Sequence, residues 1–91
     1  MNQGILEGKS FDMTLNELAI GSSCKVSAVK GEGKLRRRIF DMGITPGAEI
    51  FLRKKAPLGD PLEVTLRGYE LTLRQSEASL VEVVPLEGKA K

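Results

Sequence analysis

Between Glu63 and Arg74 the chain reads Glu-Val-Thr-Leu-Arg-Gly-Tyr-Glu-Leu-Thr-Leu-Arg, two alternating runs hinged on one glycine. Alternation with period two predicts a β-hairpin with Val64, Leu66, Leu71 and Leu73 pointing into one core. Gly68-Tyr69 as a two-residue turn with glycine first suits type II′. That turn sets Arg67 opposite Glu70, Leu66 opposite Leu71, Thr65 opposite Thr72, Val64 opposite Leu73 and Glu63 opposite Arg74. One face is then aliphatic, while the other carries opposite charges on either side of a threonine pair. This is the pattern of a sheet that covers a core on one side only.

The remaining segments are as short. Thr14-Leu-Asn-Glu17 fits a capping box, with Met13 against Leu18 as its hydrophobic staple, and predicts a single helical turn that Gly21 ends. Cys24–Lys30 is β-branched enough for a strand before Gly31-Glu-Gly33 breaks the chain. Ala48–Lys55 alternates, with Ile50 and Leu52 on one face and Phe51 and Arg53 on the other. Pro57-Leu-Gly-Asp-Pro61 is a turn-rich loop. Ser76–Ser79 allows a short turn of helix, and Leu80–Val84 supplies a last strand ended by Pro85.

Between the first two strands lies Gly33-Lys-Leu-Arg-Arg-Arg-Ile-Phe-Asp-Met-Gly43. At about 100° per residue, Leu35, Ile39 and Met42 fall within about 60° of one another and predict the buried face, while Arg36, Arg37 and Phe40 spread over the opposite half. Gly43 follows the last periodic residue, where a left-handed cap suits glycine, and Pro46-Gly47 turns the chain.

About five short strands with one or two inserted helices predict a mostly β fold, a small antiparallel barrel of the SH3-like kind, because closing the sheet removes edges that so little chain cannot cover. An OB-fold is the alternative. The domain is expected over residues 13–85, with flexible tails at 1–12 and 86–91.

The 91 residues leave room for one domain with a small core, which makes an enclosed catalytic cleft a poor expectation. Fourteen Lys and Arg against 12 Asp and Glu give a net charge of +2, short of the basic excess of a dedicated nucleic-acid binder. No stretch approaches the roughly 18 apolar residues of a membrane span, and residues 1–10 lack the apolar run of a secretory signal, so a cytoplasmic location is expected.

In order and spacing, Leu15-x-x-Leu18, Leu35-Arg-Arg-Arg-Ile-Phe-Asp-Met-Gly-Ile-Thr-Pro-Gly47, Gly59-Asp-Pro-Leu62 and Gly68-Tyr-Glu-Leu-Thr-Leu-Arg74 followed by Glu77-Ala78 resemble the FeoA family of small ferrous iron transport proteins. The resemblance covers Leu15 to Val84. It implies an SH3-like barrel and a non-enzymatic accessory of FeoB, a membrane ferrous-iron transporter with a cytosolic GTP-binding domain. The carboxy-terminal domain of iron-dependent repressors is similar, but there it follows a DNA-binding domain; the short stretch before Thr14 favours the accessory if the chain is complete.

Candidate partner-binding residues are Arg36, Arg37 and Phe40, an aromatic ring among arginines, and Leu58 in the loop after Arg53-Lys-Lys55. Each has a plainer reading: a solvated helix face with Arg38 snorkelling, a ring buried against the barrel, a charged edge strand. A regulatory or RNA-binding barrel using Arg36, Arg37, Lys54 and Lys55 on phosphates is the alternative function, but the chain has no Trp and one Tyr for base stacking. Nucleic acid is therefore not expected as a partner. Ferrous iron favours imidazole, thiolate or clustered carboxylates, whereas the sequence holds no His and a single Cys. No metal site or cofactor is expected: Asp41, Asp60, Glu63 and Glu70 read as separate surface carboxylates, and Cys24 as a small buried residue. No nucleophile has a paired base, and Gly31-Glu-Gly33 lacks a phosphate-loop continuation, so no enzymatic activity is expected.

Overall fold

The computed structural model describes residues 13–86; of the two expected tails, 1–12 and 87–91 lie outside the described residues. Leu86 is held in the fold, its N–H donating to the Ser23 carbonyl at 2.9 Å. The strands are β1 (Met13–Thr14), β2 (Ser23–Val29), β3 (Glu49–Lys55), β4 (Leu62–Leu66), β5 (Tyr69–Leu73) and β6 (Val81–Pro85). They form one antiparallel sheet in the order β1-β6-β2-β3-β4-β5. The sixth strand beyond the expected five or so is β1, two residues paired with β6 through Met13–Val83 and Thr14–Glu82. Register shifts at Val26/Ala28 and Leu52/Lys54 mark bulges that add twist and help the sheet curl around its contents.

Those contents are aliphatic. Leu15, Ile39, Ile50, Leu52, Leu62, Leu73 and Val83 are fully buried, each worth about 1.5–3 kcal/mol over an exposed position. The 3-10 turn Leu15–Glu17 inserts Leu15 into this core, and the Glu17 carboxylate accepts the Thr14 N–H at 3.1 Å in the expected capping box.

The hairpin keeps its faces but not its register. Its turn is Arg67-Gly68 rather than Gly68-Tyr69, with both residues left-handed at φ +52° and +84°, and the pairs are Leu66–Tyr69, Thr65–Glu70, Val64–Leu71, Glu63–Thr72 and Leu62–Leu73. A turn of type I′ matches the right-handed strand twist, and arginine tolerates the first position. Each partner moves by two residues, an even step, so the inner set stays inner: Val64, Leu66 and Leu73 are buried and Leu71 packs partly against the core. The expected Arg67–Glu70 and Glu63–Arg74 cross-strand pairs are absent from this register. Arg53 of β3 instead reaches both Glu63 and Glu70, at 3.4 and 3.5 Å.

Helix α1 (Gly33–Asp41) joins β2 to β3. It ends where expected: Gly43 takes φ +96°, its N–H reaches the Phe40 carbonyl at 2.9 Å, and the Ile44 N–H reaches the Ile39 carbonyl at 3.3 Å. These are the two bonds of a Schellman cap, closed by the buried pair Ile39 and Ile44. The second helix, α2 (Gln75–Ala78), is a single turn between β5 and β6.

Candidate partner-binding surface

The buried face of α1 is narrower than its periodicity predicts. Ile39 is fully buried, Met42 is half-buried and Leu35 is exposed, because only the last turn of the helix lies on the barrel. The expected inner position of Leu35 is thus corrected. Phe40 is not an open ring: it is half-buried and packs partly against the core.

Arg36 is committed to the fold on the same helix. Its Nε donates to the Val29 carbonyl at 3.2 Å, and its guanidinium carbon lies 4.4 Å from the centre of the Phe40 ring. This cation–π contact caps the outer side of the ring. Arg37 is exposed and makes no ion pair among the described residues. Arg36, Arg37 and Phe40 are therefore together, as a ring lidded by one arginine and flanked by another.

Leu58 stands elsewhere. The connection carrying α1 meets the start of β3, whereas the loop carrying Leu58 leaves its end. Ala56 donates to Pro61 and Gly59 to Ala56, at 2.9 and 2.8 Å, and Asp60 Oδ1 accepts the Gln75 N–H at 3.0 Å, pinning the loop to α2. Within this braced loop Leu58 is 98% exposed with φ +73°. A leucine on a left-handed backbone carries strain of about 1–2 kcal/mol.

The other candidates are dispersed. Lys55 Nζ donates to the Asn16 carbonyl at 3.0 Å, so Arg36 and Lys55 are both engaged internally, leaving Arg37 and Lys54 of the cations available to phosphate in the RNA-binding reading. Glu63 and Glu70 share Arg53, Asp60 accepts the first N–H of α2, and Asp41 is exposed at the end of α1. Among the described residues no three Cys, Asp or Glu side chains gather in metal-holding geometry. Cys24 is buried, and loss of hydration pushes its thiol from 9.0 up to about 12, keeping it protonated and unreactive near neutrality.

Two features escaped the sequence reading. Glu77 is almost fully buried, with one carboxylate oxygen accepting the Arg74 N–H at 2.9 Å and the other 3.4 Å from Arg38 Nε. Its position three residues after Arg74 is that of a capping glutamate, the signal that pointed there. The second is an open groove of about 440 Å³ on the outer sheet face, lined by Ser23, Phe51, Thr65, Arg67 and the segment from Gly47 to Ile50. Phe51 is the exposed aromatic in this lining.

Residues 13–85 match the family model described as the FeoA domain. A fusion of Fe(2+) transport protein A with the Fe(2+) transporter FeoB, from Porphyromonas gingivalis, is 35% identical over 78 residues, 86% of this chain. The chain spans about 9% of that relative's length. Among solved structures, a FeoA-like protein of Clostridium acetobutylicum is 49% identical and superposes with a TM-score of 0.77 over 82% of this chain and 87% of that one. A zinc complex of Stenotrophomonas maltophilia FeoA, described as a prokaryotic SH3 domain protein, is 35% identical with a TM-score of 0.70 over 78% of this chain and 88% of that one.

Proposed function

The chain belongs to the FeoA family, a family of ferrous iron transport, and we propose that it is a non-enzymatic accessory that binds and modulates a FeoB-type transporter from the cytoplasmic side. The observation that carries this reading is the fused relative, in which an FeoA-like segment and the transporter share one polypeptide. Fusion of this kind is useful when two modules act on one another, because a tether raises their effective concentration to the millimolar range. Without such a tether the contact has to be supplied by an interface alone. Iron in this scheme is the cargo of the transporter.

The surface assigned to that contact is Arg36, Arg37 and Phe40 on α1, with Leu58 as a second contact point at the other end of β3. Leu58 supplies exposed apolar area that a partner can cover, and Arg37 supplies charge that steers approach. No helix of the described residues is long and apolar enough to cross a membrane, which is compatible with a role through the transporter's cytosolic region.

The test is calorimetric titration of the full chain with the purified cytosolic region of a FeoB-type transporter at low and high salt. Saturable binding that survives salt and is weakened at least tenfold by Leu58→Ala or Arg37→Glu is expected. No binding at any salt would overturn the reading; binding to RNA that falls steeply with salt would replace it with the nucleic-acid alternative.

A further inference from the structure

We infer that the outer edge of β5 is a strand-acceptor site, at which the proposed transporter partner adds an extended segment with acidic residues at both ends. This rests on the accessory reading above and adds to it a further contact, separate from α1 and Leu58. The sheet order leaves β5 paired with β4 alone. In a two-residue hairpin the pair flanking the turn exchanges both backbone bonds, so Leu66–Tyr69, Val64–Leu71 and Leu62–Leu73 are the bonded pairs. The N–H and C=O groups of Glu70 and Thr72 therefore face away from β4. They join no backbone bond among the described residues, and both side chains are exposed.

Free edges are usually blunted by proline, lysine, a bulge or a covering element. Tyr-Glu-Leu-Thr-Leu has no proline or lysine, and the β4–β5 ladder runs without a register shift. Tyr69, 71% exposed, adds an aromatic surface beside the edge. Such a regular, open strand is the form used in β-augmentation, where the main chain gives affinity and flanking side chains give choice of partner.

Charge selects the occupant. Exposed Arg67 and Arg74 bracket β5, and neither has an ion pair among the described residues. In the self-pairing that uses the whole strand, Leu71 meets its own copy about a two-fold axis. That places Arg74 next to Gly68 of the copy and brings the two basic ends together, a like-charge contact at both ends of the ladder. A foreign strand with acidic residues at its ends makes the same backbone bonds with attraction in place of repulsion.

Amide hydrogen exchange of the full chain decides it, read alone and with two probes: the cytosolic region of a FeoB-type transporter, and a synthetic peptide of alternating valine and threonine with an aspartate at each end. Both probes are expected to slow exchange at Glu70 and Thr72 at least tenfold, while Tyr69, Leu71 and Leu73 change little. Thr72→Pro, which removes a free edge N–H and no ladder bond, should abolish the protection. If that variant fails to fold, Arg67→Glu with Arg74→Glu should weaken both probes at least tenfold and favour a lysine-ended peptide. Binding of the transporter region without protection of Glu70 and Thr72 would overturn the edge site and leave the accessory reading standing. Protection by the peptide with no binding of the transporter region would overturn the accessory reading and the transporter as occupant. Protection that rises with protein concentration in the absence of either probe would make a second copy the occupant and overturn the inference.

Discussion

Arg38 Nε stands 3.4 Å from Glu77 Oε2, joining a mostly exposed guanidinium on α1 to a carboxylate on α2 that is almost wholly shielded from water. The pair is the clasp between the two helices. A shielded carboxylate that loses its cation retains only the Arg74 N–H as a recorded partner. Arg38→Ala is therefore expected to cost about 1–3 kcal/mol, against at most about 0.5 kcal/mol for Arg37→Ala one residue away. In urea denaturation, Arg38→Ala with Glu77→Ala should cost less than the sum of the singles by at least about 0.5 kcal/mol; strict additivity would show that the contact contributes nothing.

The hairpin turn gives a second prediction. Gly68→Ala is expected to cost about 1–2 kcal/mol, because a Cβ on a left-handed backbone is penalised even in open space, and nothing lies within 4 Å of a Cβ placed there. Arg67→Asn should raise stability by up to about 1 kcal/mol, since asparagine accepts the first position of this turn more readily. Thermal melting of the pair of variants checks both signs.

Leu58 and Phe40 should separate binding from folding. Leu58→Gly removes an exposed side chain and relieves a left-handed leucine, so the melting temperature should hold or rise by a few degrees while association with the transporter's cytosolic region weakens. Phe40→Ala uncovers part of the core and should cost about 1–3 kcal/mol, less than for a fully buried ring. Calorimetry of both variants, with binding corrected for unfolded protein, would contradict the assignment if Leu58→Gly bound as well as the parent.

Cys24 sets an alkaline limit. The unfolded chain releases its thiol proton near the usual 9.0, whereas the folded chain holds it to about 12. Between those values the unfolded state binds fewer protons, so stability falls as pH rises, by up to about 1.4 kcal/mol per pH unit. Below pH 9 the effect vanishes. Urea midpoints from pH 8 to 10.5 should fall faster for the parent than for Cys24→Ala, which has no thiol to titrate; parallel curves would remove Cys24 from the account.

Periodicity read the strands well because a buried face repeats every second residue whatever the pairing; Val64, Leu66 and Leu73 were therefore legible although the turn was displaced by one residue. The register was not, since it depended on whether arginine accepts a left-handed conformation. On α1 the 3.6-residue pattern marked Leu35 as core, but a helix that rests on the barrel only through its last turn leaves its first turn in water. Phe40 was ambiguous for the same reason, and its arginine lid depends on the Val29 carbonyl at the end of the preceding strand, whose placement against the helix the periodicity does not give. Leu58 was legible as a loop apolar residue. The Glu77 clasp and the free edge of β5 were not, because both depend on which elements the topology leaves side by side or alone.

The pairing of β1 with β6 sets Met13 opposite Val83, two residues from the end of β6 at Pro85. The described domain is thus entered and left at neighbouring points on one side. Inserted into a loop of a host protein, it would need almost no bridging sequence to span its own ends, and the host loop would be pried open by little more than the spacing between two strands. Joining those ends and cutting the chain instead at the exposed Arg67-Gly68 turn would keep every other strand pairing intact.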